Sequence, residues 1–409
     1  MEIGSLALKL HREHRGKIAL KSKVPINDAK DLSIYYTPGV AEPCKEIAKN
    51  EELVYEYTAK SNWVAVVTNG TAVLGLGDIG AHASLPVMEG KAVLFKEFGG
   101  VDAFPICINS KDVEEIVRVI KLIQPSFGGI NLEDIAAPFC FEIEERLIDE
   151  LEIPVFHDDQ HGTAVVALAA LINSLKLVNK KISDVRIVIN GAGAAGIAVA
   201  QLLIKYGAKD IIICDKCGAI YEGREEDMNK YKQQIAKVTN KNHLKGSIHD
   251  VIKGADVFIG LSVANVLDEE DVKNMAKDAI VMAMANPVPE IMPGKAKRAG
   301  AKIICTGRSD FSNQVNNVLA FPGIFRGALD VRARKITDEM KVAAAEAIAR
   351  IAEEDLNEDY VIPKALNKRV SFEVALAVAE KAIEQGIARI NLSKQELQRK
   401  ILLALNCPG

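Results

Sequence analysis

Residues 185–215, VRIVINGAGAAGIAVAQLLIKYGAKDIIICD, decide the fold. Val185 to Ile189 form a short β-branched run, the pattern of a strand buried on both faces. Gly191, Ala192, Gly193, Ala194, Ala195 and Gly196 then spell G-x-G-x-x-G, and an apolar helical segment runs on to Tyr206, with Gly207 placed to stop it. Ile211 to Cys214 make a second strand ending at Asp215. The three glycines serve different physical needs, namely a tight turn, close approach of backbone to a pyrophosphate, and close helix–strand contact. The helix start offers free N–H groups and a positive dipole end to phosphates. Strand, glycine turn, helix, strand and terminal acid together predict a Rossmann-type dinucleotide unit. Asp215 is placed to accept from a ribose hydroxyl, which favours NAD; Lys216 beside it offsets the repulsion of a 2′-phosphate, so NADP stays open.

Residues Gly75 to Gly80, GLGDIG, match the same pattern. There Asp78 would oppose a pyrophosphate, and Pro86 falls in the segment that should form the supporting helix. This second match reads as a glycine turn in a substrate-binding region.

Bulk properties narrow the class. A chain of 409 residues has room for two domains with full cores. Net charge −4 and a pI near 6.1 argue against nucleic acid and anionic membranes as partners. No apolar stretch is long enough for a bilayer span, and the N-terminal residues, with His11 to Arg15, are too charged for a signal peptide. Seven scattered cysteines suit free thiols in a reducing cytoplasm. Cys214 and Cys217 form one C-x-x-C with no second pair to complete a zinc site. His157-Asp158-Asp159-Gln160-His161 looks like a zinc-protease motif, but that needs a helix across both histidines, and Ile153 to Phe156 reads as a strand.

Elsewhere, WVAVVT at 63–68 and FPICI at 104–108 read as strands, and Lys91 precedes the strand-like run Ala92 to Phe95. Gly128 to Leu132 is a strand ending in Glu133 and Asp134, a helix follows over about 139–150, and the strand at 153–156 ends in His157, Asp158 and Asp159. This βαβ order predicts parallel neighbours whose carboxyl ends share one sheet edge, where ligands collect. Glu133, Asp134 and Asp159 converge there, and a hard cation, Mg²⁺ or Mn²⁺, removes their mutual repulsion. Asn286 ends a later strand on the nicotinamide side, and the chain is mostly helical from Asp338 onward.

Taken together, YTPGVA at 36–41, GLGDIG at 75–80, MEGK at 88–91, NLED at 131–134, HDDQHGT at 157–163 and NNV at 316–318 closely resemble the malic enzymes, in their short, bacterial-type branch, and the match runs in order over nearly the whole chain. The resemblance implies divalent-metal-dependent oxidative decarboxylation of L-malate to pyruvate and CO₂, with reduction of NAD or NADP, in a homodimer. It implies an α/β chain of two domains: residues 1–158 with 317–409 for substrate and metal, and a doubly wound parallel sheet over 159–316 for the dinucleotide. By the same resemblance Lys91 is the base for the C2 hydroxyl and Tyr36 the acid that protonates C3. Longer members carry a substrate-binding arginine just before the glycine turn; here Ala72 stands in that position, leaving Thr37, Thr71, Asn286 and Asn317 to hold the carboxylates. Competing readings are an oxaloacetate decarboxylase, a malate-to-lactate enzyme, and a dinucleotide sensor without turnover.

Overall fold

The computed structural model describes residues 3–73 and 75–406. Two parallel sheets organise it. The first holds β1 (Trp63–Thr68), β2 (Asp102–Cys107), β3 (Gly129–Leu132) and β4 (Val155–His157), in the order β2-β1-β3-β4. The second holds β5 (Arg186–Asn190), β6 (Asp210–Asp215), β7 (Gly218–Ala219), β8 (Val257–Gly260), β9 (Ile280–Ala283) and β10 (Ile303–Thr306), in the order β10-β9-β8-β5-β6-β7. Every pairing is parallel except β6 with β7. This is the doubly wound order, reversing direction between β5 and β8, where the strand ends open a crevice.

The second sheet is covered on both faces, as its unbroken apolar strands require. Ile187, Ile189, Ile211, Ile213, Ile259 and Met282 point into the large core shared with the first sheet, while Val188, Ile212, Phe258 and Val281 form a smaller core on the opposite side. The period-two alternation of a strand thus serves two cores at once.

Ala92 to Phe95 are not a strand. They lie in a helix, Gly80–Gly99, that includes Lys91 and carries Pro86 in its second turn. The buried positions Ser84, Met88, Ala92, Phe95 and Phe98 fall three or four apart, so one stripe faces the core. A four-residue apolar run cannot distinguish strand from buried helix, and Pro86 costs one internal hydrogen bond that the packing outweighs. Gly100, at φ +62, closes the helix.

The C-terminal helices return to the first sheet. Phe321–Asp330, buried along its whole length, packs on Gly80–Gly99 and on Lys368–Glu384. Phe95 meets Phe321 and Phe325 at ring-centroid distances of 4.7 and 5.3 Å. Asp338–Ala352 lies against Thr163–Leu177, the helix leading into the second sheet.

The glycine turn tolerates no added bulk. A Cβ on Gly196 would stand 1.7 Å from the Gly191 carbonyl oxygen, and one on Gly191 (φ +120) would stand 2.4 Å from that of Leu261. Neither obstacle is a flexible side chain. Gly196→Ala is therefore expected to cost about 1–3 kcal/mol or more of stability and to weaken dinucleotide binding, read by thermal unfolding with and without NAD⁺. An unchanged melting profile in both conditions would contradict this packing.

The N-terminal segment differs from the rest. Helices Ile3–His14, Ala29–Tyr35 and Ala41–Lys49 bury none of their residues, although Ile3, Leu8, Leu32 and Ile34 are large and apolar. No helix among the described residues is long and apolar enough to cross a membrane.

Candidate active site

The carboxyl ends of β3 and β4 lie side by side, with Leu132 in register with His157. Glu133 and Asp134 follow the first, Asp158 and Asp159 the second. Ligand oxygens of Glu133, Asp134 and Asp159 lie within 4.8 Å of one another. Asp134 takes a left-handed backbone conformation (φ 54), and its N–H donates to Asp159 Oδ2 at 2.7 Å.

From the middle of its helix Lys91 reaches into this cluster. Its Nζ donates to Asp158 Oδ2 at 2.6 Å, lies 2.9 Å from Glu133 Oε1, and sits 4.3 Å from the centre of the Phe321 ring. Burial alone would lower its pKa; the charges of Asp158 and Glu133 outweigh that and raise it. Asn317 Nδ2 also donates to Asp158 Oδ2, at 3.1 Å, so a residue 159 positions away completes the group.

The acids themselves are strained electrostatically. Burial and the Asp159 charge push Asp134 up to about 7, and burial also raises Glu133 despite Lys91 beside it. Asp134 Oδ2, Asn131 Oδ1 and Asp158 Oδ1 are buried without a hydrogen-bond partner. Orphaned buried oxygens beside three converging carboxylates are what a hard divalent cation would satisfy, and oxygen-only donors suit Mg²⁺ or Mn²⁺. The residues present fit such an ion.

The turn carrying Asp158 and Asp159 is a π-helix, Asp158–Gly162, running directly into Thr163–Leu177. The histidines at 157 and 161 therefore do not share an α-helical face. Gly162 is required there, since a Cβ would stand 1.9 Å from Asp158 Oδ1. Glu144 anchors the turn from behind, accepting from the His157 N–H at 2.8 Å and from Gln160 Nε2 at 3.1 Å, with His161 Nε2 at 2.9 Å. Burial would raise Glu144, but His161 holds it down at about 2. Lys341, from the C-terminal helices, stands 3.1 Å from His161 Nδ1.

The other expected residues distribute unevenly. Thr71 Oγ1 accepts from the Ala136 N–H at 3.0 Å, and the Ala72 N–H donates to the Asp134 carbonyl at 3.0 Å, so the 71–72 turn adjoins the carboxylates. Asn286 precedes a cis Pro287 in the segment that follows β9, which ends at Ala283, and its amide Nδ2 lies 2.4 Å from where a Gly307 Cβ would project. Tyr36 and Thr37 are exposed, Tyr36 at 66%, and belong to the unburied N-terminal segment. At the glycine turn, Gly193 caps the Ala194–Tyr206 helix, and a Cβ there would meet nothing within 4 Å. That open space above free helix N–H groups is a cradle of pyrophosphate type, with Ala192, Ala194 and Ala195 keeping the rim small. Asp215 ends β6 as expected, but its carboxylate is held by Arg224 and Lys232.

Local sequence pattern assigns no role to Asp158, Glu144, His161, Lys341 or Asn131. For Asp158 the available signal is its adjacency to Asp159 at a strand end. Glu144 and Lys341 carry no local signal, because each acts through partners remote in sequence.

Comparison with known proteins shows the family of the chain. Residues 15–148 match the family profile described as malic enzyme, N-terminal domain, and residues 160–383 the one described as malic enzyme, NAD binding domain. A Bacillus subtilis protein named bifunctional malic/malolactic enzyme is 61% identical over 98% of this chain and 98% of its own length. A Geobacillus stearothermophilus protein named NAD-dependent malic enzyme is 58% identical over 91% of this chain and 78% of its own. The crystal structure of a malic enzyme from Pyrococcus horikoshii superposes with TM-score 0.95 at 48% identity, covering 98% of this chain and 96% of that one.

Proposed function

The chain belongs to the malic enzyme family, and we propose that its buried lysine–carboxylate centre performs the oxidative decarboxylation of L-malate to pyruvate and CO₂ with reduction of NAD or NADP. The observation carrying the assignment of residues is Lys91, held between Asp158 and Glu133 at the edge of the acid trio.

Glu133, Asp134 and Asp159 would hold Mg²⁺ or Mn²⁺, which when bound polarises the substrate's C2 oxygen and offsets the carboxylate charge beside Lys91. NAD or NADP at the Gly191–Gly196 turn supplies the hydride acceptor for C2. Asp158 and Glu133 favour the ammonium form of Lys91, so it is as the neutral amine, with their charge offset by a bound cation, that Lys91 would take the proton of the C2 hydroxyl, its Nζ positioned by Asp158, itself oriented by Asn317. Tyr36 returns a proton to C3 after CO₂ has left. Thr37, Thr71, Asn286 and Asn317 receive the malate carboxylates where Ala72 offers no charge. Residues 1–158 with 317–409 make the substrate lobe, and 159–316 the dinucleotide lobe. The six described cysteines are free thiols, which suits the cytoplasm.

The direct test is an assay with malate, each dinucleotide and Mn²⁺, following reduced cofactor and CO₂ together. Equal production of both supports the reading. A second reading has support in the name of the Bacillus subtilis relative: conversion of malate to lactate, in which reduced cofactor is consumed again before release. Lactate appearing without net cofactor reduction identifies it.

Tyr36 acts from a second copy of the chain. Its exposure, and that of the apolar residues on the helices around it, fits a segment that completes its packing on a partner in a homodimer. Mixing the inactive Lys91→Ala and Tyr36→Phe proteins should then restore about a quarter of wild-type activity, because half the dimers are mixed and each has one intact site of two. A mixture that stays inactive after verified subunit exchange would return Tyr36 to its own chain's site.

A further inference from the structure

We propose that Asp215 is the buried anchor of an Arg224–Lys232 clamp rather than the reader of the cofactor's ribose, and that Lys216 meets the 2′ substituent, so the site admits NADP as well as NAD. The proposal rests on the dinucleotide reading of the Gly191–Gly196 turn.

An ionised carboxylate has two oxygens and about four lone-pair directions. Asp215 Oδ1 accepts from Arg224 Nη2 at 2.7 Å and from the Cys217 N–H at 2.9 Å. Its Oδ2 accepts from Arg224 Nη2 at 2.6 Å and from Lys232 Nζ at 2.7 Å. Four donor contacts fill the group, and a ribose hydroxyl finds no free acceptor. Burial would raise the pKa of this acid, but the hydrogen bonds from Arg224 and Lys232 hold it below the usual carboxylate range.

The clamp is built into the fold. Arg224 also donates to the carbonyls of Gly218, Ala219 and Glu226, and Lys232 to the carbonyl and carboxylate of Asp227. The side chains of Asp215, Arg224 and Lys232 are 8, 5 and 11% exposed. A carboxylate so enclosed by cations presents little field to a 2′-phosphate, and repulsion by that carboxylate is the usual ground for excluding NADP. Lys216 stands apart, 78% exposed, with only a 3.6 Å approach to Asp227 Oδ1. It follows the strand end directly and can turn toward a phosphate there. Across residues 215–232 the five acids Asp215, Glu222, Glu225, Glu226 and Asp227 stand against the four bases Lys216, Arg224, Lys230 and Lys232, so the segment carries a net charge of only −1.

Calorimetric binding of NAD⁺ and of NADP⁺ to the whole protein without malate gives a readout independent of turnover. Wild type should bind the two within about tenfold of each other. Lys216→Ala should weaken NADP⁺ by roughly tenfold, the worth of one hydrogen bond to a charged group, and NAD⁺ by less than about twofold. Asp215→Asn should weaken both together and leave their ratio within about threefold, since it loosens the clamp rather than removing a reader. Three results overturn the proposal: wild-type protein that binds NAD⁺ at least about a hundredfold more tightly than NADP⁺, a tenfold shift toward NADP⁺ in Asp215→Asn, or equal binding of NADP⁺ by Lys216→Ala and wild type. The exposed Lys216 variant keeps the test open if Asp215→Asn does not fold. A wild-type protein that binds neither dinucleotide defeats the underlying reading of the glycine turn as well; one that binds NAD⁺ but fails the variant tests defeats the clamp alone.

Discussion

Lys91→Ala is expected to reduce turnover by about 10²–10⁴-fold, the usual worth of a positioned acid–base group. NAD⁺ affinity should stay near wild type, because the glycine turn lies on a different sheet. The substitution also removes a buried cation from between Asp158 and Glu133, whose side chains are 0 and 6% exposed. Two buried carboxylates then lose their partner, a loss on the order of 3–5 kcal/mol when one side of a buried pair is deleted. Thermal stability without metal should therefore fall, and Mn²⁺ should recover part of it by satisfying Glu133. Kinetics must accordingly be measured on metal-loaded protein shown to be folded. Small amines entering the vacated slot should restore some rate, and stronger bases more of it. Near-normal turnover at saturating malate, cofactor and metal would remove Lys91 from the base role.

Asp159→Ala separates metal binding from folding. In the metal-free protein Asp159 is an electrostatic liability: its charge is among the causes that raise Asp134 and Glu133. Removing it relieves that repulsion at the loss of one hydrogen bond from the Asp134 N–H. Metal-free stability should thus change by no more than about 1 kcal/mol in either direction. Stabilisation by added metal behaves differently, since an ion at 100 times its dissociation constant contributes about 2.7 kcal/mol. Losing one of three carboxylate ligands should weaken Mn²⁺ by at least about 100-fold, more than the loss of an outer-shell partner, and abolish that gain. Activity should vanish or require far more metal. An Asp159→Ala protein whose melting temperature rises with Mn²⁺ as in wild type would exclude this residue as a ligand.

Local pattern carried much of this protein. The helix read at about 139–150 matches Phe139–Glu150, and the strands read around 130, 155, 187 and 212 are β3, β4, β5 and β6. Such elements announce themselves because hydrophobic period and flanking glycines act over a few residues. The carboxylates at the ends of β3 and β4 were legible for a related reason: βαβ order alone makes the strands parallel neighbours and puts their ends on one edge.

The sequence by itself determined the two parallel sheets, the glycine turn, and the acid trio. What surrounds those groups was decided by packing between remote segments. Lys91 reads as the start of a strand until the stripe from Ser84 to Phe98 and the facing Phe321–Asp330 helix make that segment helical and turn its amine toward Asp158. Asn317 is named from sequence only as a group for the malate carboxylates, and its hydrogen bond to Asp158 exists only once the C-terminal chain returns to the first sheet. Asp215 reads as a free acceptor until Arg224 and Lys232 fold back onto it. In each case the residue's chemistry is local but its partner is not, and no periodicity records which distant side chain will fill a carboxylate's lone pairs or cancel its charge.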